Sequence, residues 1–68
     1  MTEVPIRAAF IKLDSLLKFS GLVETGGEAK VLIQDGAVLV NGVLCRQRGK
    51  KLVPGDVVSV GKEEVKVV

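Results

Sequence analysis

The chain has 68 residues, 47% of them hydrophobic, and a formal net charge of +2. That length can bury one compact core but not two, and it leaves no room for a deep active-site cleft. There is no histidine, tryptophan or tyrosine and only one cysteine, which excludes the common general bases, the zinc ligand sets, an internal disulfide and most base-stacking platforms. We therefore expect one domain over residues 1–68 that is not an enzyme and uses no metal, cofactor or small-molecule substrate.

The beginning of the chain does not resemble a targeting segment. Glu3 and Pro5 interrupt it where a signal peptide has an apolar run, and no stretch approaches the roughly 20 consecutive apolar residues that span a bilayer. The lone Cys45 agrees with a reducing compartment. These features predict a cytoplasmic protein without membrane contact, and we expect a monomer.

The first predicted elements are an N-terminal arm over residues 1–11, irregular or an edge strand from Val4 to Ile11, and a helix. Leucines at positions 13, 16 and 17 have the i, i+3, i+4 spacing that places them on one helix face. Gly21 can adopt the left-handed conformation that ends a helix. The first helix is therefore predicted over residues 13–20.

A second helix is predicted to begin at Thr25. Glu28 follows three residues later, so the two residues can cap the helix start reciprocally. The apolar residues that come next repeat the helical spacing, and Gly36 stands where the helix would end. The short connection between the two helices predicts that they are antiparallel.

After Gly36 the apolar residues alternate with a period of two, as expected of a strand. Asn41-Gly42 predicts a tight hairpin, because both central residues of its turn need positive φ. We expect a return strand over residues 43–45, a basic loop over 46–51 and a Pro-Gly turn over 53–56. Two further strands are expected over residues 57–60 and 64–68. The predicted fold is α+β, with two short antiparallel helices packed on a small twisted antiparallel sheet of about four strands.

Positive charge is concentrated in the second part of the chain. Residues 1–45 have a net charge of −1, whereas residues 46–68 have a net charge of +3. Four cations occupy six positions with no acid between them: Arg46, Arg48, Lys50 and Lys51. Such a cluster is typical of a protein that binds a polyanion. A solvated loop that keeps the protein soluble explains this stretch equally well.

An ordered set of residues resembles the RNA-binding domain named after ribosomal small-subunit protein S-four. The residues that carry the resemblance are Leu13-Asp14, Thr25, Ala29, Leu32-Ile33, Gly36, Val38, Val40-Asn41-Gly42 and Gly55-Asp56. The match covers residues 12–60, and its ordered spacing is more specific than any one piece. The resemblance implies an alpha-L surface, made by the two helices and the following hairpin, that lies against the backbone of structured RNA. Since the chain ends soon after the domain, we expect a small stand-alone bacterial member.

Nine residues are expected to contact RNA: Lys12, Thr25, Gly26, Lys30, Gln34, Arg46, Arg48, Lys50 and Lys51. The arginines can bind phosphate bidentately and the lysines act as mobile charges. Thr25 stands at the Ser or Thr position of the family, where its role as a helix cap is sufficient to explain it. Gly26 departs from the pattern, because many members carry Arg there, although the helix start can still offer backbone donors.

The remaining residues suggest no chemistry. Phe10 and Phe19 are expected to be core or staple residues, so RNA recognition would rest on shape and backbone contacts. Asn41 and Gly42 are assigned to turn geometry. The predicted function is non-catalytic binding of structured RNA, ribosomal or transfer RNA, including on ribosomal particles.

Two other classes of protein are alternatives to an RNA-binding protein. The main alternative is a protein-interaction or ribosome-assembly module whose basic patch meets an acidic protein. A small sulfur carrier is disfavoured, because it would need a C-terminal Gly-Gly and this chain ends Val67-Val68.

Overall fold

The computed structural model describes all 68 residues, and the chain forms two helices and seven strands. In chain order the elements are β1 (Thr2–Val4), β2 (Ile11–Lys12), α1 (Leu13–Phe19), α2 (Gly26–Gln34), β3 (Val38–Val40), β4 (Val43–Leu44), β5 (Lys51–Leu52), β6 (Val57–Val60) and β7 (Glu63–Val67). The predicted α+β class is confirmed. Neither helix is long and apolar enough to cross a membrane.

The main sheet has five strands in the order β1-β7-β6-β3-β4, and β2 pairs with β5 in a separate two-stranded sheet. The prediction of about four antiparallel strands did not count the N-terminal arm, in which Thr2–Val4 forms β1 beside β7, in parallel and at the edge of the sheet. This pairing joins the two ends of the chain, so no local turn signal announces it. Antiparallel neighbours can be joined by a short hairpin, whereas parallel neighbours need a long crossover connection.

The core lies between the helices and one face of the main sheet. No polar residue is buried. The thirteen buried residues are all apolar: Val4, Leu13, Leu16, Leu17, Val23, Ala29, Ile33, Val38, Val40, Leu52, Val58, Val65 and Val67. The three leucines of α1 are completely buried, as their helical spacing predicts. Burial of a side chain of this size stabilises the fold by about 1.5–3 kcal/mol, so this layer holds the helices against the sheet.

Hydrogen bonds join the β3–β4 hairpin to the turn before β6. Asn41 and Gly42 both have positive φ, 51° and 81°, as the Asn-Gly signal predicts. The Asn41 side chain also donates to Asp56 Oδ1 (3.0 Å) and accepts from the Val57 amide (2.9 Å). Asp56 Oδ2 accepts from the Val53 amide (2.9 Å) within the predicted Pro-Gly turn. Asn41 therefore does more than form its own turn, because its amide fastens two turns together.

Candidate nucleic-acid interface

The basic loop, residues 46–51, is held at the beginning of α1 by main-chain hydrogen bonds. The amide of Leu13 donates to the carbonyl of Lys50 (2.9 Å), and the amide of Asp14 donates to the carbonyl of Arg48 (3.2 Å). Lys12 stands at the N-cap position without a capping side chain, so the loop carbonyls satisfy donors that every helix start leaves unpaired. The loop therefore has a defined attachment to the helical layer.

Lys51 lies in a strand and not in the predicted loop. It opens β5 and stands directly opposite Lys12 of β2 in the antiparallel pair. Both lysines are exposed. Like charges in directly opposed positions repel each other, so a bound anion would relieve the repulsion between this pair.

One cation of the loop is partly neutralised. Arg48 Nη2 lies 3.3 Å from Asp14 Oδ2, and the two side chains are 44% and 23% exposed. At this exposure an ion pair contributes at most about 1 kcal/mol, so the pair orients the guanidinium more than it stabilises the fold. No sequence pattern connects Asp14, at the start of α1, with Arg48.

Arg46 packs against the end of α2. A Cβ atom added at Gly36 would lie 3.1 Å from Arg46 Nη2 and 3.4 Å from Nε, so the missing side chain makes room for the guanidinium. Gly36 also has a φ of +78°, which side chains other than glycine rarely adopt. A cation at the C-terminal end of a helix interacts favourably with the carbonyl end of the helix dipole. Gly36 thus ends α2 and places Arg46 at that end.

The predicted residues of α2 lie on one stripe of the helix. Gly26, Lys30 and Gln34 are spaced at i, i+4 and i+8, which places them on the same face, and the lysine and glutamine are exposed. At about 1.5 Å per residue the stripe is roughly 12 Å long. Its far end is Thr25, whose Oγ1 accepts a hydrogen bond from the Glu28 amide (3.1 Å), so one half of the predicted capping box forms.

The structure thus brings the predicted residues together in two groups. Lys12, Arg48, Lys50 and Lys51 are joined around the start of α1 by strand pairing and main-chain hydrogen bonds. Arg46 connects the loop to the end of α2, where the stripe of Gly26, Lys30 and Gln34 finishes. No hydrogen bond or ion pair joins Thr25 or Gly26 to the basic loop.

A groove of about 400 Å³ separates the β3–β4 hairpin from the basic loop. Its polar lining includes Asn41, Gln47, Lys50 and Asp56. The pKa of Asp56 is lowered from its ordinary value of 3.8, chiefly by the hydrogen bond from the Val53 amide and then by that from Asn41. Burial opposes this shift, and the nearby charge of Lys50 adds a weaker lowering. The carboxylate is therefore ionised in the folded protein at neutral pH and lies beside the cationic loop.

The two phenylalanines are exposed, so the expectation that they are core or staple residues is wrong. Phe10 is 37% exposed and Phe19 71%, and Lys51 Nζ lies 4.8 Å from the centre of the Phe10 ring. The helical period could have revealed the position of Phe19. At 3.6 residues per turn its side chain points roughly 110° away from the centre of the buried leucine stripe of α1.

The chain shows no metal-binding arrangement. No group of three or more histidine, cysteine, aspartate or glutamate side chains could hold an ion. Cys45 is half-buried and packs against the core, with its Sγ 3.9 Å from the carbonyl of Gln47. Its surroundings are those of a small apolar residue that is in part accessible.

Comparison with known proteins gives consistent matches. The S4 domain family matches residues 4–68. The protein YbcJ of Escherichia coli (strain K12) is 38% identical over 58 residues, which cover 85% of this chain and 83% of that protein. RlbA of Bacillus subtilis (strain 168), whose name assigns it provisionally to ribosome maturation, is 37% identical over 57 residues, covering 84% and 80%.

Two further matches place this chain beside a solved structure and a larger enzyme. The solution structure of YbcJ from E. coli superposes with a TM-score of 0.78 and 33% sequence identity, over 100% of this chain and 87% of that one. That structure is described as revealing an alpha-L motif involved in RNA binding. A tyrosine–tRNA ligase of Nitratidesulfovibrio vulgaris is 42% identical over 50 residues, which are 72% of this chain and 13% of the ligase.

Proposed function

We propose, from the premise that this chain belongs to the S4 domain family, that it binds folded RNA, ribosomal or transfer RNA, without catalysing a reaction. The observation that carries the proposal is the attachment of the basic loop. Main-chain hydrogen bonds from Leu13 and Asp14 hold the loop at the start of α1, so its cations project from a fixed position. A loop that served only solubility would not need such an attachment.

The cations of this surface suit phosphate in geometry as well as in sign. Lys12 and Lys51 oppose each other across two paired strands, and a phosphate between them would offset their repulsion. Arg46 is placed at the end of α2 by Gly36, with its planar guanidinium available for bidentate contacts. Lys50 is exposed on the loop and adds a mobile charge.

From this centre we extend the interface along α2. Lys30 and Gln34 share one helix face with Gly26, so an RNA backbone that follows the stripe would meet a charge and an amide in turn. At the far end Thr25 caps the helix, and Gly26 places no side chain over the helix start, where the space around a Cβ would be open. These residues complete the proposed contact surface, with weaker contributions than the loop.

The relatives support the choice of RNA over another polyanion. One neighbouring structure is described as containing a motif involved in RNA binding, and one relative carries a name from ribosome maturation. Ribosomal RNA, bound within a ribosomal particle, is therefore the first target to test. We expect the protein to act in the cytoplasm, where such RNA is folded and assembled.

The salt dependence of binding tests the proposal. Binding of a folded ribosomal RNA fragment is measured between about 50 and 200 mM salt, for the wild type and for the variant Arg46→Ala/Arg48→Ala/Lys50→Ala/Lys51→Ala. Each lost phosphate contact lowers the slope of log affinity against log salt by about 0.7–0.9, so we expect a decrease of roughly three units. Circular dichroism checks that the variant is folded.

Lys66→Ala provides the control for a lost charge. Lys66 lies between the buried residues Val65 and Val67 of β7, so its side chain is on the face of the sheet opposite the helices. It should leave the slope unchanged, whereas Lys50→Ala alone should lower it by about one unit. Full binding by the quadruple variant, or a partner captured equally well after nuclease treatment, would contradict the proposal, the latter in favour of an acidic protein partner.

A further inference from the structure

The largest groove on the surface lies between the N-terminal arm and the end of α1. Its volume is about 520 Å³, within the range of about 300–1,000 Å³ typical of sites for small ligands. It is lined by Pro5, Ile6, Arg7, Ala8, Phe10 and Phe19. Of the nine expected RNA contacts, none lines this groove.

Both aromatic residues of the chain meet in this groove. Phe19 is 71% exposed at the last position of α1, and Phe10 is 37% exposed on the arm. A contiguous exposed apolar patch rimmed by polar residues is a feature of interaction sites and ligand-binding grooves. Every nucleobase has a flat face that can stack on such a ring, whatever its sequence.

The charges around the groove are positive. Arg7 lines it, Lys18 lies beside Phe19 in an adjoining depression, and Lys51 Nζ lies 4.8 Å from the centre of the Phe10 ring. No carboxylate lines the groove or the adjoining depression. A ligand with a flat apolar part and attached negative charges is complementary to this arrangement.

Lys51 connects the groove to the basic loop. It opens β5 directly after Lys50 of that loop and is the cation that contacts Phe10, so a polynucleotide bound along the loop would continue toward the groove. An apolar peptide would match the two rings but not the three surrounding cations. The charge therefore favours a nucleotide over a protein segment.

We propose that the groove holds an unpaired base of the bound RNA, stacked on Phe19, with its flanking phosphates held by Arg7 and Lys51. The inference rests on the proposed RNA-binding function and adds to it a preference for RNA that contains unpaired nucleotides. A protein that contacts only the RNA backbone would not show this preference. A regular duplex offers the same phosphates but no unpaired base that could stack.

The test compares two RNAs of equal length and charge, a hairpin with 2-aminopurine in its unpaired loop and a duplex with no unpaired base. The protein has no tryptophan or tyrosine, so the fluorescence reports on the base alone. Phe19→Ala should weaken hairpin binding by about 5- to 150-fold, the value of one stacked base, with duplex binding and the salt slope unchanged. The quenching of 2-aminopurine on binding should be lost as well.

Phe19→Leu keeps an apolar side chain but removes the ring, so it should behave like Phe19→Ala if stacking is the cause. Because Phe19 is exposed, both variants should fold like the wild type, and circular dichroism checks this. Equal binding of the hairpin by wild type and Phe19→Ala overturns the inference, as does self-association of the wild type that Phe19→Ala abolishes. If the wild type binds neither RNA at low salt, the proposed function itself fails.

Discussion

The basic loop and the beginning of α2 present positive charge to a polyanion in two different ways. The loop carries four full charges in six positions and is attached to α1 through its backbone. The beginning of α2 carries no cation, only a Thr25 cap and the partial charge of a helix dipole, equivalent to about half an elementary charge. Both regions were expected to contact RNA, but they differ in what holds each of them in place.

The start of α2 and the basic loop therefore differ in whether their polar groups already have a partner in the folded chain. Thr25 has a structural partner in the Glu28 amide, so its place at the helix start is explained without a ligand. Lys50 and Lys51 have no acidic partner within salt-bridge distance, so their charge is available to a ligand. The loop should therefore dominate affinity, and the start of α2 should dominate the stability of its helix.

The largest expected effect on stability comes from Gly36→Ala. A side chain in the left-handed conformation costs about 1–2 kcal/mol, and the new Cβ would lie 3.1 Å from the Arg46 guanidinium, which must move. Urea denaturation should show the loss of stability, and RNA binding should weaken because Arg46 is displaced. The control Gly49→Ala has open space and no positive φ, so it should unfold no more easily than the wild type.

Replacement of the helix cap tests the other region. Thr25→Ala removes the acceptor for the Glu28 amide, which should cost about 1 kcal/mol of unfolding free energy. The slope of RNA affinity against salt should not change, because no charge is lost. Thr25→Ser keeps the acceptor and should restore stability. A lower slope in Thr25→Ala would contradict the assignment of this residue to folding.

A smaller effect is expected from the protonation of Asp56, beside the loop. Its pKa is lower in the folded chain than its ordinary value of 3.8, so its stabilising contribution is complete above about pH 4 and is lost as the pH falls through the folded value. Urea midpoints between pH 6 and 2 should fall for the wild type more than for Asp56→Asn. Asn41→Ala removes one of the two donors to Asp56 and should show an intermediate pH dependence.

The smallest effect is expected from Gly26→Arg, which adds a cation at the position where many members of the family carry one. No atom within 4 Å hinders the new side chain and its φ is not positive, so the fold should tolerate it. An exposed charge pair contributes about 0.2–1 kcal/mol, which is at most about fivefold in RNA affinity. Glu64→Gln, which changes the net charge equally on the outer face of the sheet, should leave affinity unchanged. Equal behaviour of the two variants would show that α2 does not face the RNA.

Local signals were sufficient for most elements of the fold. The leucines of α1, the Thr25 cap and Asn41-Gly42 each act through neighbours a few residues away, so their conformations follow from short-range sterics and hydrogen bonding. The same reasoning missed the parallel pairing of β1 with β7, because the two strands come from opposite ends of the chain. It also missed the exposure of Phe19, although the period of α1 contained that information.

By itself the sequence determined that the chain is a small α+β domain, where its helices begin and where its positive charge is concentrated, since these depend on composition and on local periodicity. Only the tertiary structure decided which of those charges lie together. The opposition of Lys12 and Lys51 and the placement of Arg46 over Gly36 join residues 10 or more positions apart. Such contacts exist only when the core has packed and brought the strands and helix ends to fixed positions, and no local pattern encodes that arrangement.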